Sequence, residues 1–264
     1  MHINHTYSLF FSATFTTQTT MRSIAEGLGL ETKENNLLDH PLDNDVCLAA
    51  DDLLIAGMPV YAGRIPPIAA DSLRHYKGSG TPAIIAAVYG NRHYDDALLE
   101  IADILSENGF QMIAAGAFIA EHCIFPKVAA GRPNADDLAF ARRFGETCRR
   151  ILDSAESTTA IPAVSIPGKR PYKIPGNIPI CPSGNKDCAG CGECAAECPV
   201  NAIDPENPKN TNTGRCIRCG RCIAICPTHA RGYHSITYKI AGLKFVSDNK
   251  KPRQPEIWLP AGIQ

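Results

Sequence analysis

Eight cysteines between positions 188 and 226 carry the most specific chemistry in this sequence. They form two runs, CAGCGECAAECP and CIRCGRCIAICP, each spaced C-x2-C-x2-C-x3-C-P. Three thiolates on one tight loop can face one iron–sulfur cube. In this spacing the fourth cysteine of each run ligates the other cube. Cys188, Cys191, Cys194 and Cys226 are therefore expected to hold one 4Fe-4S cluster, and Cys216, Cys219, Cys222 and Cys198 a second. Ala189, Gly190 and Gly192 let backbone N–H groups approach the sulfurs, and Pro199 and Pro227 stop the chain after each crossing ligand. Zinc is the competing reading, but zinc ribbons use pairs of C-x2-C with four ligands per ion. They need neither the third cysteine nor the C-P. Of the 12 cysteines in all, Cys47, Cys123, Cys148 and Cys181 stand alone. Cys181 reads as a neighbouring thiol rather than a ligand.

A second concentration of chemistry lies near the start, in FSATFTTQTTMRSIAEGL, residues 11–28. Hydroxyl residues crowd Ser12 to Thr20 between an aromatic run and a helical pattern. A strand-to-helix loop presents free N–H groups and a helix dipole, which suits an anion. Hydroxyls at Ser12, Thr14, Thr16 and Thr17 add donors without charge, which fits a phosphate monoester. No G-x-x-x-x-G-K and no G-x-G-x-x-G is present, so neither a nucleoside triphosphate site nor a nicotinamide site is read here.

The elements that must position these groups follow from periodicity. YSLFF, DLLIAGMPV, PAIIAAVYG and FQMIAAGAFIA read as nearly all-apolar strands, with a weak strand near Glu34 to Leu38. TMRSIAEGLGL, IPPIAADSLRHY, YDDALLEIADILSENG and NADDLAFARRFGETCRRILDSA read as helices. In the first of them Met21, Ile24 and Leu28 share a face. Gly109 closes the third helix, and Asn134 is the expected cap of the last. Apolar strands alternating with helices imply a parallel sheet covered on both faces. Asp51, Asp52, Asp95 and Asp96 read as element flanks, and His93 and His122 show no ligand pattern. After Ser157, prolines at 162, 167, 171, 175, 179 and 182 rule out helix and central strand, leaving an extended, stiff linker. The mildly basic end, with Lys239, Lys244, Lys250, Lys251 and Arg253, is expected to pack back on one of the domains.

The 264 residues carry a formal charge of −1, which gives no hint of nucleic acid or an anionic membrane. Apolar runs are far shorter than a spanning helix needs. The N-terminus lacks a signal-peptide pattern, so a cytoplasmic setting is expected. A reducing compartment also favours metal over disulfides for so many cysteines.

SATFTT resembles the flavodoxin phosphate loop, S/T-x-T-G-N-T. Ser12, Thr14 and Thr17 match; Phe15 and Thr16 stand where that family has Gly and Asn. Phe15 takes a positive φ only at a cost, so the loop is expected to bend differently. Two later loops would converge on the same place, beyond the carboxyl ends of the strands. PVYAGRIP supplies Pro59, Tyr61, Ala62, Gly63 and Arg64. VYGNRHYDDAL supplies Tyr89, Gly90, Asn91, Arg92 and Tyr94. Aromatic faces can cover an isoalloxazine ring, and glycine lets N–H groups reach its polar edge. Tyr61 and Tyr89 can equally be core or rim aromatics, and Arg64 and Arg92 solvated loop charges. VYGNRHYDDALLE is similar to the flavodoxin-like half of flavodoxin–ferredoxin fusion proteins, and residues 181–231 resemble a bacterial two-cluster ferredoxin.

The resemblance implies a doubly wound, flavodoxin-like α/β domain with a five-stranded parallel sheet at 1–157. A linker at 158–180, a small α+β ferredoxin-like domain at 181–231 and a tail at 232–264 follow. It implies FMN beside two 4Fe-4S clusters, and electron transfer to or from redox proteins. Reduction of a small substrate such as a quinone, or a flavin-free sensor or scaffold, are the alternatives. Homodimer formation stays open. No residue is singled out as catalytic.

Overall fold

The fold is described from a computed structural model, over residues 1–176 and 180–262. Pro179 of the proline series lies outside the described residues. The first half alternates strands and helices in chain order: β1 (Thr6–Phe10), α1 (Thr16–Leu28), β2 (Thr32–Asn36), β3 (Val46–Cys47), β4 (Leu53–Pro59), α2 (Pro67–Leu73), β5 (Tyr76–Lys77), β6 (Thr81–Tyr89), α3 (Ala97–Glu107), β7 (Phe110–Ile119) and α4 (Ala135–Ser154). The second half adds β8 (Ser183–Gly184), α5 (Glu193–Ala196), α6 (Arg221–Ala224), β9 (Arg231–Gly232), α7 (Ile236–Asp248) and β10 (Glu256–Trp258).

The main sheet runs β10-β7-β6-β4-β1-β2. Its five parallel members, numbered among themselves, lie in the order 2-1-3-4-5, the flavodoxin-like arrangement with its switch point beside β1 and β4. The sheet has a sixth strand that the apolar pattern does not predict. β10 pairs antiparallel with β7 through Glu256, Ile257 and Trp258. It covers an edge that would otherwise expose unpaired backbone groups.

β4 and β6 are buried along their whole length, as strands covered on both faces should be. Alternate residues feed two cores. Leu54, Ala56 and Met58 face α2 and α3; Leu53 and Ile55 face α1 and α4. α1 and α4 approach each other backbone to backbone. A Cβ on Gly27 would lie 2.0 Å from the Arg142 carbonyl oxygen, and one on Gly145 2.1 Å from that of Ile24. α4 starts at the expected cap: Asn134 accepts from Asp137 N, and Asp137 accepts from Asn134 N. α1 starts earlier than its apolar pattern, at Thr16, and the hydroxyls of Thr19 and Thr20 donate to the carbonyls of Phe15 and Thr16.

The proline-rich segment is extended and lies against the first domain. Ile161 and Ile166 pack on the two cores. Asp96 accepts from the backbone N–H groups of Lys169 and Lys173, at 2.9 and 2.7 Å. Asp103 pairs with Arg170 and Tyr172. Asp96 does not cap α3 with its side chain; it holds this segment. The cysteine-bearing module follows, with β8 antiparallel to β9. α5 and α6 each begin after a left-handed glycine, Gly192 (φ 78°) and Gly220 (φ 81°). The tail then crosses back. α7 stacks Tyr238 and Phe245 on Phe125, and Asn91 clamps the chain that leads into β10.

The helix crossing makes a direct prediction. Gly145→Ala should lower unfolding stability by about 2 kcal/mol or more, although alanine is the better helix former by about 1 kcal/mol. Urea unfolding of the variant measures it.

Candidate functional site

A cleft of about 590 Å³ opens beyond the carboxyl ends of β1, β4, β6 and β7. Thr14, Thr16 and Thr17 line one end, at the start of α1. The first turn of α1 holds no acidic residue, and with Gln18 N taken by Ser12 its Thr16 and Thr17 N–H groups are left for an anion. Pro59, Tyr61, Ala62, Gly63 and Arg64 form one wall, and Tyr89, Gly90 and Arg92 another. The Tyr61–Arg64 loop is closed by reciprocal backbone hydrogen bonds of 2.8 and 3.2 Å. Gly63 sits at φ 94° with Asp95 where a Cβ would be.

Several predicted side chains are engaged by other residues. The Ser12 hydroxyl is buried and accepts from Gln18 N at 3.0 Å, which steadies the loop from behind. Asn91 donates to the carbonyls of Asn249 and Lys251 and accepts from Arg253 N, so its side chain is spent on the tail. Tyr94 packs edge-on to Trp258 and donates to Glu256. Arg64 lines the cleft, but its guanidinium is engaged by Glu100 through two bonds of 2.7 and 2.6 Å, and it lies over the Tyr172 ring. That bond is the main cause of its raised pKa. Arg92 pairs with Asp95 and steadies the loop.

Phe15 corrects a sequence expectation. It takes φ 66°, ψ −11°, so the loop bends where the glycine pattern would bend it. For a non-glycine residue that conformation costs roughly 1–2 kcal/mol.

The cleft has a second set of walls that no local signal marks. His122, Cys123, Ile124 and Phe125 follow β7; Pro175 comes from the proline-rich segment, and Phe245 from α7. Ile217 and Arg218, inside the second cysteine run, also line it. These residues are far apart in sequence, so only folding assembles them. His122 Nδ1 accepts from Ile124 N and Phe125 N, and burial holds its pKa down at about 4.

Cys188, Cys191, Cys194 and Cys226 line one small cavity. Cys222 lies near Cys216, Cys219 near both of these, and Cys216 near Cys198. Burial pushes the Cys219 thiol up to about 12 and the Cys222 thiol to about 11. The sequence reading missed Arg231. It is buried, bonds to the carbonyls of Pro182 and Pro208, and opposes both the Cys194 and Cys222 shifts from between the two groups. Its positive charge favours thiolates there. Among the described residues the buried Tyr233 hydroxyl meets no partner, and it lies beside Cys216, Cys219 and Cys222. A sulfur-rich acceptor would satisfy it. The Tyr89 hydroxyl also meets no partner among the described residues; Glu256, Arg253 and Arg132 are the charged groups near it. The donor sets therefore fit iron–sulfur at one end and a phosphate-bearing aromatic cofactor at the other. Among the described residues, no helix is long and apolar enough to cross a membrane.

Residues 183–227 match the family described as a 4Fe-4S dicluster domain. No curated protein matches the chain by sequence. Among solved structures, a flavodoxin from the domain Archaea is similar at 13% identity, over 57% of this chain and 99% of that one, with a TM-score of 0.40. Flavodoxin 2 from Bacillus cereus is similar at 13% identity, over 54% and 95%, with a TM-score of 0.41. Rubredoxin oxygen:oxidoreductase from Desulfovibrio gigas is similar at 18% identity, over 58% of this chain and 37% of that one, with a TM-score of 0.43.

His122 makes a pH prediction. Its folded pKa lies below its unfolded value of 6.5, so the unfolded chain binds the extra proton. Stability should fall as pH drops from 6.5 towards about 4, and His122→Gln should flatten that part of the profile. Chemical denaturation across this pH range tests it.

Proposed function

We propose that this chain, which joins a flavodoxin-like domain to a 4Fe-4S domain, passes electrons between two 4Fe-4S clusters and an FMN, and to or from redox partner proteins. Flavins exchange one or two electrons and each cluster one, so together they join the two kinds of chemistry. One observation carries the reading: the second cysteine run lies against the cleft. Cys219 is 8% exposed and belongs to the apolar cluster of the flavodoxin-like domain. Ile217 and Arg218 from the same run line the cleft itself.

Residue roles follow from the chemistry. Thr14, Thr16 and Thr17, with the first N–H groups of α1, would bind the FMN phosphate. Tyr61 and Tyr89 would bound the ring, and Gly63 and Gly90 admit it close to the backbone. Ile217, Phe125 and Phe245 would keep water from it. Cys188, Cys191, Cys194 and Cys226 would hold the outer cluster; Cys216, Cys219, Cys222 and Cys198 would hold the inner one. Cys191 is exposed where Cys219 is buried, so the outer cluster is the one a partner protein can approach. A reducing, cytoplasmic setting suits thiolate ligands.

Anaerobic purification with iron, acid-labile sulfide and flavin measured per chain is the test. About eight irons and about one FMN are expected. Iron without flavin, even after incubation with FMN, would overturn the flavin half; zinc in place of iron would overturn the cluster half. Cys194→Ala should reduce iron to about four per chain and leave flavin bound.

A further inference from the structure

Phe15 is an awkward residue for its place. It sits at the turn into α1 with φ 66°, and the residue is 46% exposed. Glycine would take the same backbone freely. Its ring meets Arg221, the first residue of α6, whose guanidinium lies 5.2 Å from the ring centroid. The Arg221 side chain is only 12% exposed. It bonds to Glu197 at 2.6 Å within the cysteine module and reaches Asp39, beyond β2, at 3.6 Å. One guanidinium thus spans the two modules. Beside it the backbone closes up: a Cβ on Gly220 would lie 3.1 Å from Thr14 Cγ2 and 3.5 Å from Cys123 Cβ. Cys219 and Cys222, on either side, belong to the inner cysteine group.

We infer that Phe15 and Arg221 form a latch that holds the inner cluster loop against the flavin's phosphate loop and so fixes their separation. Arg221 is a positioning residue. The inference rests on the electron-transfer reading above. In the step it serves, one electron leaves the reduced cluster and arrives on the oxidised flavin. The cluster is oxidised, the flavin is reduced, and no covalent bond forms or breaks. Guanidinium stacking and charge-assisted bonds act together here, in a partly desolvated contact. The strained φ of Phe15 is retained because glycine would offer no ring.

The test uses the full-length protein and three variants, Arg221→Ala, Phe15→Gly and Phe15→Tyr. Amide hydrogen exchange of residues 12–18 and 216–222 reads the latch whether or not the cofactors are present. Arg221→Ala and Phe15→Gly should each speed exchange in both segments by about tenfold, and Phe15→Tyr should restore protection. In protein with both cofactors, electron equilibration between clusters and flavin after rapid photoreduction should slow by roughly tenfold or more, with iron and flavin content unchanged. Phe15→Gly discriminates best: it relieves the backbone and should not lower the thermal midpoint, yet it should loosen the contact. Unchanged exchange in the Arg221→Ala or Phe15→Gly variant would overturn the latch. So would unchanged equilibration. Absence of iron or flavin from the parent protein would instead overturn the electron-transfer reading, and the exchange result would still decide the latch.

Discussion

The loop from Cys216 to Cys222 buries its inward side, Ile217 and Cys219, against the apolar layer under the carboxyl edge of the sheet. Most of the molecule follows from that contact. A loop carrying three cysteines cannot also pack tightly unless its backbone turns sharply, and Gly220 at φ 81° provides the turn. Gly220 has no Cβ, so Thr14 and Cys123 come close. The cleft then has a floor from the sheet loops and a wall from the cysteine module. It is a site shared by two modules, not one borrowed by the second.

The surroundings keep that wall in register. The proline-rich segment lies on acidic groups at the start and along the exposed side of α3. Asp96 takes two backbone N–H groups, and Asp103 takes Arg170 and Tyr172. Glu100, almost buried, holds Arg64 and also accepts from Ile65 N. Removing Arg64 would leave the nearly buried Glu100 carboxylate without compensation. On the other side α7 stacks on Phe125, and β10 closes the sheet edge. Chain that precedes the cysteine module and chain that follows it both return to the first domain.

Charge placement suits the chemistry. The α1 end of the cleft offers hydroxyls and helix N–H groups, and the first turn of α1 carries no acid, so an anion there would meet a favourable helix dipole. Between the cysteine groups, Arg231 supplies one buried positive charge to thiols that burial alone would keep protonated. Among the described residues, four buried side-chain atoms meet no partner, Ser8 Oγ, Tyr89 Oη, Arg231 Nε and Tyr233 Oη, and the last two lie beside the cysteines.

The doubled cysteine spacing determined the iron–sulfur reading by itself, because ligand number and loop length are local properties. Apolar runs and caps such as Asn134 determined the helices and parallel strands for the same reason. The convergence of Thr14, Tyr61 and Tyr89 was also legible, since loops after parallel strands share one edge. Tertiary structure alone decided the rest. Phe15 takes the glycine conformation because the surrounding contacts outweigh its local preference. Asn91 and Tyr94 serve the tail instead of the cleft, since a loop's sequence does not say which way its side chains face. β10 is three residues long, too short for periodicity to reveal, and forms only because β7 offers an open edge. Ile217, Cys219 and Arg221 lie some two hundred residues from the loop before α1 that they adjoin, and nothing in their own neighbourhood could announce that contact.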